Sequence, residues 1–327
     1  MQIRVLRAAE VRDLLPMAEC VELMRSTMIA LSEGRVVLPL RSIMGLPANR
    51  GMLGIMPGYL ADPECFGVKL VRLMPHNKPP LHSSHLGIVL LFEPEHGCPV
   101  ALLDAAEITA IRTAAASGLA TRLLANPDAG DLALLGAGEQ ARSHLDAMLC
   151  VRPLRRIRVW ARDPAKAKAF AESEGSKHHI VVETAATVRD AVTGADLICT
   201  LTKAREPILF GEWISPGAHL NVVGSSVAGA AEIDTSTVVK SRFFVDSRNS
   251  TVHEGGEYLH ALQSGAITPG HILGEIGEVA NGSLQGRGSP PEVTLYKSLG
   301  VSPQDLASSH YVFEKARAAG VGQIVEF

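Results

Sequence analysis

The chain has 327 residues, of which 46% are hydrophobic and 20% are charged, and its formal net charge is -3. This length predicts two domains, each large enough to bury its own core. The near-neutral balance of mixed charges offers no electrostatic footprint for nucleic acid or an anionic membrane, so neither partner is expected.

The N-terminal residues and the cysteines indicate the cellular compartment of the protein. The first residues, MQIRVLRAAEVRDLL, carry charges every few positions and do not resemble a secretory signal. No run approaches the roughly 20 apolar residues of a membrane span. The cysteines are odd in number and widely scattered: Cys20, Cys65, Cys98, Cys150 and Cys199. A disulfide framework is therefore not expected, and we predict a cytoplasmic protein.

The first third of the chain predicts one helix followed by strands. Apolar residues from Met17 to Leu31 recur at helical spacing, between Pro16 and Gly34. The β-like runs that follow are VVLPLRSIM, GMLGIMPGYL, FGVKLVRLM, HLGIVLLFEP and CPVALLDAA. With no helix between them, they indicate an antiparallel or mixed sheet. EHG, between the last two runs, predicts a hairpin turn with Gly97 at positive φ.

An Ala-rich helix, AEITAIRTAAASGLATRLLA, is predicted next, and it ends at NPDAG. Strands and helices then alternate through LALLG, QARSHLDAML, RIRVWA, PAKAKAFAESEG, HIVVE, TVRDAVTGA and DLICTLT, with HLNVVGS and FFVDS as further strands. This alternation predicts an α/β fold with a doubly wound parallel Rossmann sheet. The tail, from LGVSPQDLASSHYVFEKARAAG onward, is predicted to be helical.

A glycine motif marks the first strand-to-helix turn of that sheet. In GAGEQA, Gly136 would permit the tight turn and Gly138 would let the backbone approach a pyrophosphate. Ala141 would allow the helix to pack closely on the strand. With a strand before it and a helix after it, the motif predicts a dinucleotide site. An ordinary strand-helix turn is the alternative.

The end of the next strand bears on the cofactor subtype. An NAD site would place an acid there to bind the ribose 2′-hydroxyl. Here VWARDP supplies Ala161 and Arg162, and the guanidinium can pair with a 2′-phosphate. Asp163 is suited to cap the helix that begins at Pro164. We therefore predict NADPH, with NADH as the alternative if Arg162 is solvated and Asp163 faces the ribose.

Three cations lie in otherwise apolar surroundings: Arg41, Lys69 and Arg112. Lys69 falls inside FGVKLV, and a lysine within a buried strand has to be paired or functional. Together the three could hold a carboxylate through charge-assisted hydrogen bonds. For any one of them, spacing alone favours an ordinary surface cation.

The histidines give weaker signals. His85 begins an apolar strand, where its polar tip could reach a ligand or could simply be hydrogen-bonded at the strand end. His178 and His179 have no third ligand at a metal spacing, so no metal site is predicted.

The chain resembles the ornithine cyclodeaminase/mu-crystallin family over nearly its full length. The resemblance rests on GIMPGY, GVKLV, VLLFEP, ITAIRTAAASGLATRLLA, LLGAGEQA, EPILFGEWISPGAHLNVVGSS and TLYKSLG. It implies a homodimer with an N-terminal α/β domain for substrate binding and dimerisation, residues 1–125, completed by residues 300–327. Residues 126–299 would form the Rossmann domain.

The resemblance also implies that Arg41, Lys69 and Arg112 hold the substrate carboxylate and that Lys69 and Arg112 are catalytic. It leaves the reaction open, because the family includes cyclodeaminases, alanine and opine-type dehydrogenases, and ketimine reductases. Ser226 stands where cyclodeaminases and the family's alanine dehydrogenases have an aspartate. A serine cannot replace that carboxylate as a base, and the ketimine reductases are similar to this chain at that point.

We therefore expect NAD(P)H-dependent reduction of Δ1-pyrroline-2-carboxylate to L-proline and of Δ1-piperideine-2-carboxylate to L-pipecolate. Arg41 and Arg112 would clamp the carboxylate, and Lys69 could relay a proton to the imine nitrogen. The alternatives are an ornithine cyclodeaminase, an NAD-dependent amino-acid dehydrogenase and a non-catalytic small-ligand binder.

The expected contacts fall into two groups. Substrate contacts are expected at Arg41, Lys69, Arg112, His85 and Ser226. Cofactor contacts are expected at Thr113, Gly136, Gly138, Glu139, Gln140, Ala161, Arg162, Thr200, Thr202, Val223, Ser225, Ser298 and Gly300.

Overall fold

The computed structural model describes residues 2–77, 83 and 85–326. Contacts divide the chain into two compact units, Met1–Arg112 with Val301–Phe327 and Thr113–Gly300. We call them the terminal unit and the central unit. Within the described part of the chain, no helix has the length and apolar character needed to cross a membrane.

The helices and strands follow one another along the chain in the order of their numbers. The helices are α1 Ala8–Leu14, α2 Met17–Ser32, α3 Ala105–Leu124, α4 Glu139–Val151, α5 Pro164–His178, α6 Val188–Val192, α7 Thr235–Lys240, α8 Arg248–Glu254, α9 Gly256–Gln263, α10 Ile276–Ala280 and α11 Ser302–Ala319. The strands are β1 Gln2–Leu6, β2 Val36–Val37, β3 Ser42–Gly45, β4 Met52–Ala61, β5 Glu64–Leu73, β6 His85–Phe92, β7 Pro99–Asp104, β8 Asp131–Leu135, β9 Arg156–Trp160, β10 Glu183–Thr184, β11 Leu197–Thr200, β12 His219–Val222, β13 Ser241–Val245, β14 Ile272–Glu275, β15 Val293–Lys297 and β16 Gln323–Glu326.

The terminal unit is built on a mixed sheet, as predicted. Its strand order is β16-β1-β7-β6-β5-β4-β2, with β3 also paired to β4. Only the β1–β7 pair among these is parallel. The predicted hairpin turn between β6 and β7 is present, and Gly97 has a φ of 71° there. Helix α11 packs against β4, β5 and β6, and α2 buries one apolar stripe that includes Met24 and Met28.

The central unit contains the predicted doubly wound sheet. Its strand order is β10-β9-β8-β11-β12-β15-β13-β14, and every pair is parallel. The chain order reverses at β8, which pairs with β9 on one side and β11 on the other. In open parallel sheets, ligands bind beyond the carboxyl ends of the strands at such a reversal. The sheet therefore places its candidate site at the end of β8.

One predicted strand is much shorter than expected. The HIVVE run contributes only its last residue to β10, because α5 continues past Gly175 to His178. His179 then ends the helix in the left-handed conformation, with a φ of 55°. In this last turn of α5, Lys177 forms an ion pair with Asp146, and His178 Nε2 lies 2.8 Å from the same carboxylate.

The boundary between the two units falls inside α3. The sequence-based division assigned the whole helix to the first domain, up to residue 125. In the structure, the second half of α3 contacts the parallel sheet and its helices. The hydroxyl of Ser117 lies 3.0 Å from His144 Nε2 on α4, and Asn221 Nδ2 on β12 donates to Thr121 Oγ1 at 2.9 Å. These side-chain contacts place the second half of α3 with the central unit.

Candidate functional site

The glycine turn after β8 has the geometry of a pyrophosphate cradle. Gly136 has a φ of 128°, and a Cβ there would lie 2.6 Å from the carbonyl oxygen of Leu201. No side chain within the described residues caps the N-terminus of α4, and a Cβ on Gly138 would meet no atom within 4 Å. Open space thus lies over the helix N-terminus, which attracts anions. The residues fit a dinucleotide, with Glu139 and Gln140 in the first turn.

Other predicted cofactor residues lie at the same edge of the central sheet. Thr200 ends β11, Val223 follows β12 and Ser298 follows β15. The backbone ties these segments together, since Val223 N–H donates to Thr200 O at 3.2 Å and Ser298 N–H donates to Val222 O at 3.0 Å. The structure therefore groups these segments beside the strand-order reversal.

Glu232 is a buried carboxylate that sequence reasoning missed. It accepts hydrogen bonds at 2.7 Å from the hydroxyls of Thr200 and Thr202 and from Gly224 N–H. Burial raises the pKa of Glu232, and the hydrogen bonds from the threonines oppose that rise. The two threonine hydroxyls, predicted near the cofactor, are engaged with Glu232 and fix the loops that follow β11 and β12.

A second buried carboxylate that sequence reasoning missed is Glu257 on α9, which forms an ion pair with Lys297 on β15. Their charged atoms are 2.9 Å apart, and both side chains are fully buried. Lys297 also donates to Ser225 Oγ at 2.8 Å, and the Ser225 hydroxyl donates to Glu257. Glu257 further accepts the backbone N–H of Glu232 at 3.0 Å. This pair anchors the segment that contains Ser225.

The predicted cofactor-subtype residues lie after β9. Ala161 is half-buried and Arg162 is exposed. Asp163 caps α5, because its Oδ1 accepts a hydrogen bond from Ala165 N–H at 3.0 Å and Pro164 occupies the first turn. Its carboxylate therefore already has a structural role.

Two further predicted cofactor residues lie on α3 and after β15. Thr113 is buried on α3, immediately after Arg112. Gly300 has a φ of 77° and, like Leu299, donates its N–H to Asp246 Oδ2 at 2.7 Å. Asp246 therefore fixes the backbone that follows Ser298.

The terminal unit brings two of the three predicted cations together around a carboxylate on α11. Asp305 Oδ1 lies 3.0 Å from Lys69 Nζ and 2.9 Å from Arg112 Nε. The side chains of Lys69 and Arg112 are each 4% exposed, and that of Asp305 is fully buried. Arg112 also donates to Gln304 Oε1 at 2.6 Å. Sequence reasoning missed Asp305 and Gln304, which lie in the SPQDLASS stretch of a helix with no distinctive pattern.

Electrostatics connects Arg41 to this cluster. Burial lowers the pKa of Lys69 to about 8, Asp305 opposes the shift, and the charges of Arg112 and Arg41 lower it further. Arg41 is half-buried and directly precedes β3. The positive charges of Arg112 and Arg41 therefore both act on Lys69.

The other two predicted substrate contacts lie on other segments of the chain. His85 is exposed at the start of β6, opposite Leu73. It shares a sheet face with Lys69, which is opposite Val89, but it lies four residues, or about 13 Å, further along the strand. Ser226 is half-buried in the loop that follows β12, in the central unit.

His178 has acidic neighbours that spacing could not reveal. Its ring lies near Asp146 and Glu174, with ligand atoms within 4.8 Å of one another. Both carboxylates already pair with cations, because Lys177 lies 3.0 Å from Asp146 and Arg142 contacts Glu174. Both carboxylates of this cluster are therefore already engaged by cationic side chains.

Comparisons with known proteins identify the family of this chain. The model of the ornithine cyclodeaminase/mu-crystallin family matches residues 1–320. Ketimine reductase mu-crystallin from Mus musculus is 38% identical over 282 residues, which cover 86% of each chain.

Two solved structures are similar over essentially their whole length. Thermococcus litoralis Δ1-pyrroline-2-carboxylate reductase, in complex with NADH and L-proline, is 37% identical with a TM-score of 0.95, covering 98% of this chain and 99% of that one. An archaeal alanine dehydrogenase dimer with bound NAD is 28% identical with a TM-score of 0.93, covering 100% of both chains. These matches confirm the resemblance seen in the sequence, and the chain belongs to the ornithine cyclodeaminase/mu-crystallin family.

Proposed function

We propose that this chain is an NAD(P)H-dependent oxidoreductase acting on C=N bonds, a reductase of small cyclic imino acids. It converts Δ1-pyrroline-2-carboxylate to L-proline and Δ1-piperideine-2-carboxylate to L-pipecolate. The observation that carries this proposal is the buried cluster of Lys69, Arg112 and Asp305. The T. litoralis relative, whose structure contains NADH and L-proline, supports the substrate class.

The charge balance of the cluster favours an anionic substrate. Two cations are paired with a single carboxylate oxygen, and Arg41 adds further positive charge. An uncompensated charge in a dry site is costly, and an anion that binds there relieves the cost. A carboxylate on the carbon next to the imine supplies this anion and fixes the orientation of the ring.

Lys69 is suited to supply the proton of the reaction. When bound, NAD(P)H supplies the hydride that C2 of the imine accepts, and the imine nitrogen takes up one proton. With a pKa of about 8, Lys69 is protonated at neutral pH yet gives up its proton readily. A protonated imine is the better hydride acceptor, so activity is expected to fall as Lys69 loses its proton.

The enzyme prefers NADPH to NADH as its cofactor. The turn after β9 offers Ala161 and Arg162 at the positions where an NAD site has an acid, and Asp163 already caps α5. Arg162→Ala is expected to raise KM for NADPH about 10- to 100-fold, because a charge-assisted bond to the 2′-phosphate is lost, and to leave KM for NADH unchanged. Steady-state kinetics with both cofactors measures this, with Lys166→Ala on α5 as the control. Equal changes for the two cofactors would argue against a 2′-phosphate contact.

The active form is a homodimer, formed through the sheet face opposite α11. This face presents an apolar row that includes Ile55, Leu86 and Ile88, which are 36%, 43% and 39% exposed. Exposed apolar rows of this kind mark association surfaces. The archaeal relative is a dimer. Ile88→Asp is expected to convert a dimer to monomers in analytical ultracentrifugation, and a wild-type protein that sediments as a monomer would contradict the proposal.

The deciding experiment incubates the purified protein with each cyclic imino acid and either NADPH or NADH, and follows nicotinamide absorbance. Oxidation of the cofactor with formation of L-proline or L-pipecolate is expected. Absence of turnover with both ring sizes would overturn the proposal. Stoichiometric cofactor binding without turnover would instead favour a ligand-binding protein.

The second candidate is an NAD-dependent amino-acid dehydrogenase or cyclodeaminase, favoured by the full-length similarity to the archaeal alanine dehydrogenase. Ser226 argues against it, because the loop after β12 offers a hydroxyl where those enzymes need a base. Oxidation of L-alanine, or release of ammonia from L-ornithine with NAD, in the absence of imine reduction would favour this candidate.

A further inference from the structure

A single carboxylate oxygen bridges the two buried cations of the terminal unit. Asp305 Oδ1 accepts from Lys69 Nζ at 3.0 Å and from Arg112 Nε at 2.9 Å. These contacts join β5, α3 and α11 at one atom. Gln304, the neighbour of Asp305 on α11, contacts Arg112 through a neutral amide oxygen.

The other oxygen of this carboxylate is unusual. Asp305 Oδ2 is buried and, within the described part of the chain, accepts no hydrogen bond. Burying a polar atom without a partner costs free energy, and a buried ion pair adds little stability over an apolar packing. Stability therefore gives no reason for a carboxylate here, whereas its negative charge acts directly on Lys69.

We infer that Asp305 is a positioning residue that holds Lys69 beside Arg112 and keeps it in the ammonium form during catalysis. The inference rests on the proposed function, in which Lys69 protonates the imine nitrogen. Arg112 cannot release its proton, so without Asp305 the repulsion between the two cations would be relieved by deprotonation of Lys69.

The groups around Lys69 fix the sign of the pH effect. Asp305 on α11 raises its pKa, whereas burial, Arg112 on α3 and Arg41 before β3 all lower it, to about 8 in balance. Cys20 on α2 is neutral over this range, because burial raises its pKa to about 12. Removing the Asp305 charge leaves only influences that lower the pKa of Lys69. The ammonium form of Lys69 is then lost at a lower pH.

The first test is the pH profile of kcat/KM for imine reduction. Asp305→Asn is expected to move the alkaline midpoint down by about one pH unit or more, as expected when an adjacent opposite charge is lost. Asp305→Glu, which keeps the charge, should restore the midpoint toward that of the wild type. Gln304→Leu is the matched control, expected to raise KM with the midpoint unchanged. A uniformly lower profile for Asp305→Asn, with the wild-type midpoint, would mean that Asp305 is merely structural.

The second test does not depend on activity. Because the pKa of Lys69 is lower in the folded chain than in the unfolded one, its contribution to the free energy of unfolding rises with pH between about 8 and 10.5. Subtracting the same curve for the Lys69→Met protein isolates this contribution.

In a protein that carries Asp305→Asn, the contribution of Lys69 to the free energy of unfolding is expected to begin rising at a lower pH than in the wild type. If it does and the wild type reduces no imine, the proposed function fails while the role of Asp305 stands. An onset that does not move would overturn the inference.

Discussion

Arg112→Ala is expected to lower kcat/KM for Δ1-pyrroline-2-carboxylate by about 10²- to 10⁴-fold. A bidentate guanidinium-carboxylate contact makes two charge-assisted bonds of about 1.5–3 kcal/mol each, and about 1.4 kcal/mol corresponds to a factor of ten. The substitution also leaves Lys69 alone with Asp305, so the cluster loses the positive charge that attracts the substrate.

Steady-state kinetics of three variants tests this prediction. Arg112→Lys keeps the positive charge but cannot make the two parallel hydrogen bonds of a guanidinium. It should therefore give an intermediate loss of kcat/KM. Arg35→Ala, which removes an exposed pair with Glu33 in the same unit, should leave kcat/KM unchanged. Guanidinium added to Arg112→Ala should recover part of the activity. If kcat/KM were the same in wild type and Arg112→Ala, Arg112 would have no role in substrate binding.

The second large effect is on stability. Lys297→Met is expected to destabilise the central unit by about 3–5 kcal/mol, because Glu257 is left as an uncompensated buried charge. For a unit of this size, about 1 kcal/mol corresponds to 2–4 °C in Tm, so Tm should fall by about 6–20 °C. Thermal and urea unfolding measure the change.

The matched control is the double variant Lys297→Met with Glu257→Leu. It removes both charges and should recover much of the lost stability, since an apolar replacement of a buried ion pair is often neutral. Strictly additive losses from the two substitutions would show that the buried charges do not depend on each other.

The sequence predicts most elements of the fold because both sheets have regular local patterns. Alternating strands and helices indicate the parallel sheet, and consecutive β-like runs indicate the mixed sheet. The pattern does not reveal β1 and β16, which pair across the whole length of the chain. Such a pairing depends on contacts that no local window contains. HIVVE is predicted as a strand because its apolar residues are typical of one, whereas in the structure this run follows directly after the end of α5 at His178.

Some residues of the candidate site could likewise be predicted from the sequence, and others could not. Gly136 and Lys69 could be found because each departs from its local pattern, one as a glycine at a strand end and the other as a charge inside an apolar strand. Asp305 and Glu257 could not, because an acid on a helix is usually solvated. Asp305 meets Lys69 across 236 positions of sequence, and only the fold makes that contact visible.

The position of α11 after the central unit affects the order in which the terminal unit can be assembled during translation. Domains usually fold from the N-terminus onward as the chain is made. Here β5 and α3 are synthesised first, but the carboxylate that pairs with Lys69 and Arg112 comes from residue 305, after the whole central unit. The terminal unit can therefore be completed only after the whole central unit has been synthesised, when α11 brings Asp305 to the two cations.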